Sequence, residues 1–254
     1  MHNILVLGGT IEATRLVAEL ARAGLATTLS YAGRVERPKP QPVPVRVGGF
    51  GGVEGLAVYL RAHGVTHLID ATHPFAAQMS AHAVQAAQIT GVPLLALTRP
   101  AWTPVPGDDW HRVPDIPAAV TALAGPARRI LLALGRMHLA GFAAQPQHHY
   151  VLRLVDPPEV PPPLPDHHII LDRGPFDAAA DETLMRAHRI DLVVSKNAGG
   201  SGAQAKLVAA RALSLPVLMI DRPALPNRRE AHEIGAVLDW IRGEACLGHA
   251  DLGV

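Results

Sequence analysis

Two hydrophobic periods alternate along the first hundred residues. Short continuous apolar runs are typical of buried strands, whereas apolar residues that recur every three or four positions indicate amphipathic helices. Strands are predicted at Asn3–Leu7, Leu25–Ser30, Val43–Val47, Thr66–Asp70 and Pro93–Thr98, with a first helix that ends at Gly24 and further helices at Val53–His63 and Phe75–Thr90. This alternation, with short connections, predicts βαβ units and a parallel sheet.

The hydrophobic pattern lapses between Arg99 and Pro117, where proline, glycine, tryptophan and aspartate dominate. We therefore predict an interdomain linker at residues 101–114. A second alternating series follows, with predicted strands at Arg129–Leu134, Tyr150–Val155, Ile169–Leu171, Leu192–Ser195 and Pro216–Ile220 and a closing helix at Arg229–Arg242. The expected fold is α/β, with two Rossmann-like parallel-sheet domains, residues 1–100 and 115–254, that face each other across a cleft.

The composition agrees with this architecture and indicates which classes of binding partner are not expected. Hydrophobic residues make up 48% of the 254 residues and aromatic residues only 4%, so the core must be built from aliphatic side chains, which suits buried parallel strands. The formal net charge of +1 does not favour nucleic acid or an acidic membrane as a partner. The single Cys246 excludes an intrachain disulfide, and no secretion signal or membrane-spanning run is found, so we expect a cytoplasmic protein.

The first candidate site is the glycine turn after the first predicted strand. Gly8, Gly9 and Thr10 connect a buried strand to a helix, so backbone N–H groups and the positive end of the helix converge on one point. The turn departs from the dinucleotide fingerprint, because Thr10 stands where the second glycine is expected and Ala13 replaces the third. Thr10 can donate its hydroxyl to a phosphate or cap the helix. We interpret the turn as a phosphate-binding site rather than an ordinary βα turn.

The end of the second predicted strand indicates which dinucleotide is bound. Proteins that bind the ribose diol of NAD usually have an acidic residue there, whereas the extra phosphate of NADP requires cations and hydroxyls. The sequence has Ser30, Gly33 and Arg34 at this place, and the only acid nearby is Glu36. A guanidinium with a serine hydroxyl matches a phosphate monoester. Together with the glycine turn this favours NADPH over NADH, the alternative being a solvated basic loop.

Two further segments follow the third and fourth strands. Residues 48–52 hold four glycines, including Gly51, which either let the backbone approach the cofactor or form a flexible loop. Residues 70–75 lie between a strand and a helix, which places Thr72 and His73 at the carboxyl edge of the sheet, where ligands bind. His73 can transfer a proton near neutral pH. The alternative is that Thr72 caps the helix and His73 bonds to the backbone. Because positive charge is disfavoured at a helix N-terminus, we favour a positioning role for His73 over a general-acid role.

The second half of the chain places cations at three strand ends. They are Arg136 after a glycine, Arg173 before a glycine, and Lys196 in the glycine-rich segment 195–202, which Lys206 follows. Three such sites suggest a large anionic ligand, most naturally a polycarboxylate. The 195–202 segment lacks the ending of a P-loop, so ATP is not expected. The 14 histidines show no ligand-type spacing with acids, so no metal site is predicted.

Seven motifs stand in one order along the chain. They are Leu7–Thr10, Ser30–Arg34, Gly48–Gly52, Asp70–Phe75, Arg99–Trp102, Arg173–Phe176 and Ser195–Asn197. Together they resemble the precorrin-6A reductase family of cobalamin biosynthesis, and the likeness runs from residue 3 to about residue 223. Each motif alone is weak, but seven in order argue against chance.

The resemblance implies that the protein reduces one carbon–carbon double bond of precorrin-6A with NADPH to give precorrin-6B. This step belongs to the aerobic, cobalt-free route. Relatives in the anaerobic route act on the cobalt-containing counterpart, with NADH reported as the donor. The cation at Arg34 favours NADPH and therefore the aerobic route. The alternative is a carrier or sensor module that binds a nucleotide or a tetrapyrrole without turnover.

Residues and resemblance together assign roles to the candidates. We expect residues 1–100 to bind NADPH and residues 115–254 to bind the tetrapyrrole polycarboxylate. The proton comes from His73, Lys196, a substrate carboxyl or water. The expected cofactor-binding residues are Gly8, Gly9, Thr10, Ser30, Gly33, Arg34, Gly51 and Thr72. The expected substrate-binding residues are Arg99, Arg136, Arg173, Lys196, Asn197 and Lys206. Transient contact with neighbouring pathway enzymes is compatible with this role.

Overall fold

The computed structural model describes residues 2–32, 40–172, 174 and 176–243. The first hundred residues alternate strands with helices, as the hydrophobic pattern predicted. The elements are β1 (Asn3–Leu7), α1 (Ile11–Arg22), β2 (Ala26–Tyr31), β3 (Val45–Val47), α2 (Gly52–Ala62), β4 (His67–Asp70), α3 (Ala77–Thr90) and β5 (Leu94–Leu97). Every predicted element of this region is present, within about two residues of its predicted bounds.

The rest of the chain begins a second alternating series. Its elements are β6 (Trp110–Val113), α4 (Ile116–Ala122), β7 (Arg129–Ala133), β8 (His149–Leu154), β9 (His167–Leu171), α5 (Ala178–Ala187), β10 (Leu192–Lys196), α6 (Ala205–Ala212), β11 (Val217–Ile220), β12 (Glu230–Ala231) and α7 (Ile234–Arg242). Two short 3-10 turns, Arg136–His138 and Ala140–Ala144, come after β7. No helix in the described part of the chain is long and apolar enough to cross a membrane.

The strands form two separate six-stranded sheets, and every pair of neighbouring strands is parallel. The first sheet has the order β12-β5-β4-β1-β2-β3 and the second the order β6-β11-β10-β7-β8-β9. The chain divides accordingly into two units. The first unit contains the described residues up to Arg99 and those from Ala224 onward, and the second contains Pro100–Pro223. The predicted α/β fold with two parallel sheets is therefore confirmed.

The predicted domain bounds need two corrections, and both concern edge strands. The predicted second domain, 115–254, included the C-terminal segment, but β12 pairs with β5 and α7 packs Val237 and Ile241 into the core of the first unit. The predicted linker, 101–114, contains β6, which pairs with β11 in the second sheet. Neither strand carries an apolar run, since β12 has two residues and the two inner residues of β6, His111 and Arg112, are polar and exposed. The hydrophobic pattern therefore gave no signal for them.

The central strand β1 explains the continuous apolar run at the start of the chain. Ile4 and Val6 face one side, where α1 and α7 cover them, while Leu5 and Leu7 face the other side, where α2 and α3 cover them. All four side chains are buried because both faces of the sheet are covered. The glycine turn therefore follows a strand that is held in place by packing on both of its faces.

The core of the second unit is built in the same way around β7 and β10. Leu131, Val151, Val193 and Met219 point from neighbouring strands to one face of the sheet, where they pack against α5 and α6. Trp102, from the segment that precedes β6, completes this core. The early part of the predicted linker is therefore packed into the second unit.

Candidate functional site

The first unit has its topological switch point between β1 and β4. These neighbouring strands are paired with Leu7 beside Asp70, and the strand order runs from β1 towards β3 on one side and from β4 towards β5 on the other. Ligands of such sheets bind outside the carboxyl ends of the strands at this point. The two segments that begin there are residues 8–10 and residues 71–76. The structure thus brings together the two predicted loops that carry the glycines, Thr72 and His73.

The glycine turn leads directly into α1. Gly9 has a φ of 121°, a conformation that side chains other than glycine rarely adopt. The Thr10 hydroxyl accepts a hydrogen bond from the Ala13 amide at 3.1 Å and donates to the Ala71 carbonyl at 2.8 Å. Of the two predicted roles of the Thr10 hydroxyl, the structure shows helix capping. The first amides of α1 have no carbonyl acceptor within the helix and form the positive end of its dipole, which suits an anion.

A buried carboxylate holds the loop after β4. Asp70 Oδ1 accepts hydrogen bonds from the Thr72 amide at 3.1 Å and from the Thr72 hydroxyl at 2.6 Å, and Oδ2 accepts from the Ser80 hydroxyl at 2.6 Å. Oδ2 is also paired with Arg228, whose side chain is buried. The predicted alternative that Thr72 caps the helix is wrong, because α3 begins at Ala77 and Thr72 donates to Asp70. Thr72 therefore fixes the backbone of this loop.

Arg228 was not predicted as part of the site. It comes from the segment between the second unit and β12, where the sequence shows no periodic pattern. A buried acid at a strand end requires a compensating partner. The position of Asp70 therefore indicates that it has a cationic partner, but the sequence does not identify which arginine that is.

His73 is exposed, and its ring is oriented by the backbone. Nδ1 accepts a hydrogen bond from the Phe75 amide at 3.2 Å, which leaves the proton of a neutral ring on Nε2. The ring also contacts the Phe75 ring at a centroid distance of 5.9 Å. This orientation agrees with the positioning role predicted for His73 but does not test that role.

Ser30 lies beside Arg46, which was not among the predicted site residues. Ser30 at the carboxyl end of β2 is buried and pairs in register with Arg46 of β3. Arg46 Nη1 donates to the Ser30 hydroxyl at 3.2 Å, and the guanidinium also donates to the carbonyl oxygens of residues 48 and 49. The guanidinium stacks on the Phe50 ring at 3.7 Å from its centroid. A lone arginine in an apolar strand directly before a glycine run was the signal that could have found it.

The glycine-rich segment after β3 has a defined backbone. Gly48, Gly51 and Gly52 all have positive φ, and Gly51 is the N-cap of α2. A Cβ on Gly55 would lie 1.7 Å from the Phe50 carbonyl oxygen, so the segment folds back tightly against the helix. The two predicted alternatives, close approach to the cofactor and a flexible loop, both stay predictions.

Arg99, a predicted substrate-binding residue, belongs to the first unit. Its guanidinium lies 3.6 Å from the Glu12 carboxylate, in the first turn of α1. An acid at this place would repel a bound phosphate, so the ion pair compensates a charge next to the anion-binding end of the helix. Arg99 therefore forms an ion pair with Glu12 close to the glycine turn.

Asn197 has a structural role in the second unit. Its Oδ1 accepts a hydrogen bond from the Trp102 amide at 2.8 Å, and its Nδ2 donates to the Trp102 carbonyl at 2.9 Å. Because both ends of the buried amide bind the backbone, we remove Asn197 from the residues expected to bind the substrate. Close packing continues at Gly199, where a Cβ would lie 2.1 Å from the Pro100 carbonyl oxygen.

The two lysines of this region differ in their surroundings. Lys206 is buried in α6, where its ammonium group donates to the Ala203 carbonyl and lies 5.0 Å from the centroid of a Trp102 ring. These contacts indicate that Lys206 stabilises the loop before α6, which argues against its predicted role in substrate binding. Lys196, in contrast, is half-buried at the carboxyl end of β10.

Arg136 is exposed and borders a cleft at the carboxyl ends of β7 and β8. The cleft has a volume of about 350 Å³. Its other lining residues are Met137, Leu139, Leu154, Pro158, Glu159, Val160 and Pro161–Pro163. Met137 and Val160 expose 65% and 77% of their surface, which is unusual for apolar side chains and marks this edge as a candidate for binding an apolar ligand. The remaining predicted residues Gly33, Arg34 and Arg173 lie outside the described residues.

The glycine turn, the capped helix and the switch point form the arrangement that is typical of dinucleotide-binding α/β proteins. A family model described as "Precorrin-6x reductase CbiJ/CobK" matches residues 3–242. The chain therefore belongs to the precorrin-6x reductase CbiJ/CobK family, and the resemblance in the sequence is confirmed. Membership of this family makes the protein an oxidoreductase of cobalamin biosynthesis.

The chain is similar over nearly its whole length to proteins with names in this family. It is 56% identical over 241 residues to "Precorrin-6A reductase" of Rhodobacter capsulatus, which covers 95% of this chain and 96% of that protein. It is 30% identical to "Cobalt-precorrin-6A reductase" of Priestia megaterium, over 87% of this chain and 91% of that protein. The solved structure "CobK precorrin-6A reductase" superposes with a TM-score of 0.91 at 54% identity, over 97% of this chain and 98% of that one.

Proposed function

We propose that the protein reduces one carbon–carbon double bond of precorrin-6A with NADPH and forms precorrin-6B. The observation that carries this proposal is the 56% identity to the Rhodobacter capsulatus precorrin-6A reductase over 95% of the chain. The lower identity of 30% to the Priestia megaterium cobalt-precorrin-6A reductase supports the cobalt-free substrate. We place this reaction in the cytoplasm.

The residues of the first unit would hold and orient the cofactor. The amides at the start of α1 would bind its pyrophosphate, with Gly9 allowing close approach of the backbone. Ser30 supports the choice of NADPH, as does the sequence position of Arg34. When bound, the cofactor supplies the hydride. The network around Asp70 would keep Thr72 and His73 in place beside it.

The carboxylates of the tetrapyrrole would be bound by cations of the second unit. The candidates that remain are Arg136, Lys196 and, from the sequence alone, Arg173. The exposed apolar side chains beside Arg136 support contact with the macrocycle, whose ring is apolar and whose periphery is anionic. The proton acceptor is the carbon next to the one that receives the hydride.

The proposal is tested by following NADPH absorbance after precorrin-6A is added under anaerobic conditions. We expect one NADPH to be consumed per macrocycle and the mass of the product to increase by two hydrogen atoms. NADH should react more slowly. Binding of both ligands without loss of absorbance would instead identify the non-catalytic carrier or sensor.

The same assay separates the two roles considered for His73. A positioned general acid contributes about 10²–10⁴-fold to the rate. We assign His73 a positioning role, so His73→Ala should lower turnover by less than about a hundredfold. A larger loss, with normal affinity for both ligands, would show that His73 donates the proton.

A further inference from the structure

Arg46 carries a charge that no described carboxylate balances. Its guanidinium donates to the Ser30 hydroxyl and to the carbonyl oxygens of residues 48–49, all of which are neutral. Within the described residues it forms no ion pair, whereas Arg228 in the same unit is paired with the buried Asp70 carboxylate. A half-buried cation with neutral partners keeps its attraction for an anionic ligand.

The position of Arg46 in the sheet suggests which anion it would bind. Ser30 and Arg46 are register partners at the carboxyl ends of β2 and β3. In dinucleotide-binding sheets, the end of the second strand is where the adenosine ribose and its substituents lie. A group on the ribose 2′-oxygen would therefore be close to this pair.

The pair offers the donors that a phosphate monoester requires. The Ser30 hydroxyl accepts from Arg46 Nη1 and still has its own proton to donate. The planar guanidinium provides several N–H groups in a fixed arrangement. Its orientation is set before any ligand arrives, because the Phe50 ring stacks on it at 3.7 Å and the carbonyl of Gly49 accepts from Nη2 at 2.6 Å. Less side-chain entropy is then lost on binding.

We infer that Arg46, acting with Ser30, binds the 2′-phosphate of NADPH and makes the protein discriminate against NADH. This inference rests on the proposed NADPH-dependent function. Arg46 also anchors the glycine-rich segment, so its replacement affects the backbone near the cofactor. Loss of an anchor would weaken the binding of NADPH and NADH equally, whereas loss of a phosphate-binding residue would weaken the binding of NADPH alone.

The test compares two nucleotides that differ only by the 2′-phosphate. Adenosine 2′,5′-bisphosphate and 5′-AMP are titrated by calorimetry into the wild-type protein and into Arg46→Gln, Arg46→Lys and Arg61→Ala. Glutamine keeps an N–H donor for a loop carbonyl but removes the charge, and lysine keeps the charge. Arg61 is the matched control, because it lies in the same unit and donates to the Ile89 carbonyl at 2.9 Å.

We expect the wild-type protein and Arg61→Ala to bind the bisphosphate more tightly than 5′-AMP. Arg46→Gln should lose about ten- to a hundredfold of affinity for the bisphosphate, the size of a charge-assisted hydrogen bond, with little change for 5′-AMP. Arg46→Lys should restore part of the difference. Titrations with NADPH and NADH should show the same pattern.

Two results would overturn the inference. An equal loss for both nucleotides in Arg46→Gln would make Arg46 an anchor of the loop only, and an undiminished preference would make it irrelevant to the phosphate. If instead the wild-type protein bound the two nucleotides equally, the choice of NADPH in the proposed function would itself be wrong.

Discussion

The two units share one strand order but differ in the segment that connects the central strand of each sheet to the rest of the chain. The order β5-β4-β1-β2-β3 in the first unit has the same arrangement as β11-β10-β7-β8-β9 in the second. In the first unit, β1 leads through Gly9 into an α-helix of 12 residues. In the second unit, β7 leads through Gly135 into two 3-10 turns of three and five residues.

Strand order alone therefore does not create a phosphate-binding site. An α-helix of several turns aligns its peptide dipoles and leaves the amides of its first turn for an anion. In a short 3-10 turn the peptide dipoles are few and poorly aligned, so they attract an anion more weakly. The second unit instead presents Arg136 and an apolar cleft at the corresponding edge. We therefore assign the cofactor to the first unit, and paired variants of the two units test that division.

The largest effect is expected from the buried ion pair of each unit. Asp70→Ala takes the nearer of two carboxylates from the buried Arg228, which keeps Glu230, and Asp181→Ala takes the nearer of two from Arg153, which keeps Asp172. Each change should lower the free energy of unfolding by about 3–5 kcal/mol, measured by chemical denaturation. Only Asp70→Ala should also weaken NADPH binding, because it releases the loop beside the glycine turn. Equal losses of NADPH affinity in both variants would contradict the proposed division between the units.

The next prediction concerns the two glycines that come after β1 and β7. Gly9→Ala places a side chain at a φ of 121° and costs about 1–3 kcal/mol of backbone strain, so NADPH affinity measured by fluorescence titration should fall about tenfold. Gly135 has a φ of −69°, and no atom lies within 4 Å of an added Cβ. Gly135→Ala should leave NADPH binding unchanged. A comparable loss in both variants would remove the distinction between the turns.

A third prediction separates two cations of the second unit. Arg136→Ala removes an exposed charge at the apolar cleft and should raise the KM for precorrin-6A by about tenfold, without changing NADPH affinity. Lys206→Ala should lower the free energy of unfolding by about 1–3 kcal/mol with little change in KM, because the ammonium group is buried and bound to a carbonyl. Steady-state kinetics and denaturation of both variants provide the measurements. The reverse pattern would restore Lys206 as a substrate ligand.

The smallest effect is a pH dependence that involves one histidine in each unit. Burial, and then the charge of His2, lowers the pKa of His67, while burial and then His168 and Arg129 lower the pKa of His188. The unfolded chain therefore takes up protons before the native protein does as the pH falls below about 6.5. Keeping these two histidines neutral therefore costs the native protein no stability above that pH, whereas below it the free energy of unfolding falls. His67→Gln and His188→Gln should each flatten the decline seen by denaturation between about pH 7 and 5, and an unchanged slope in both would contradict it.

The sequence predicted the strands that are apolar throughout and the turns that connect them. β1 and its turn were recognised because four consecutive buried residues precede two glycines and a helix pattern. The edge strands β6 and β12 were missed because strands of four and two residues at a sheet edge need no apolar run. Since β12 lies far along the chain from β5, its pairing depends on a long-range contact that local periodicity does not contain.

The candidate site was predictable to a similar degree. Thr72 and His73 were placed at the carboxyl edge from their position after a strand, and the structure agrees. The roles of Asn197, in the glycine-rich segment, and Lys206, in the helix after it, could not be predicted, because an amide or an ammonium group looks the same in sequence whether it faces a ligand or the backbone. Arg46 was missed although it is a lone cation in an apolar strand before a glycine run, whereas Arg228 was missed because only a long-range contact pairs it with Asp70.

The fold class, the glycine turn and the family could all be recognised in the sequence, because the first two depend on residues that are close together along the chain and the family depends on the order of seven short motifs. Which polar side chains bind other groups of the protein, and are therefore not available to a ligand, depended on the folded structure. It paired Asp70 with Arg228, fixed Asn197 on Trp102, and set Arg46 beside Ser30. A buried polar group must find a partner, but the partner is selected by packing in three dimensions, over separations of up to 158 residues in this chain.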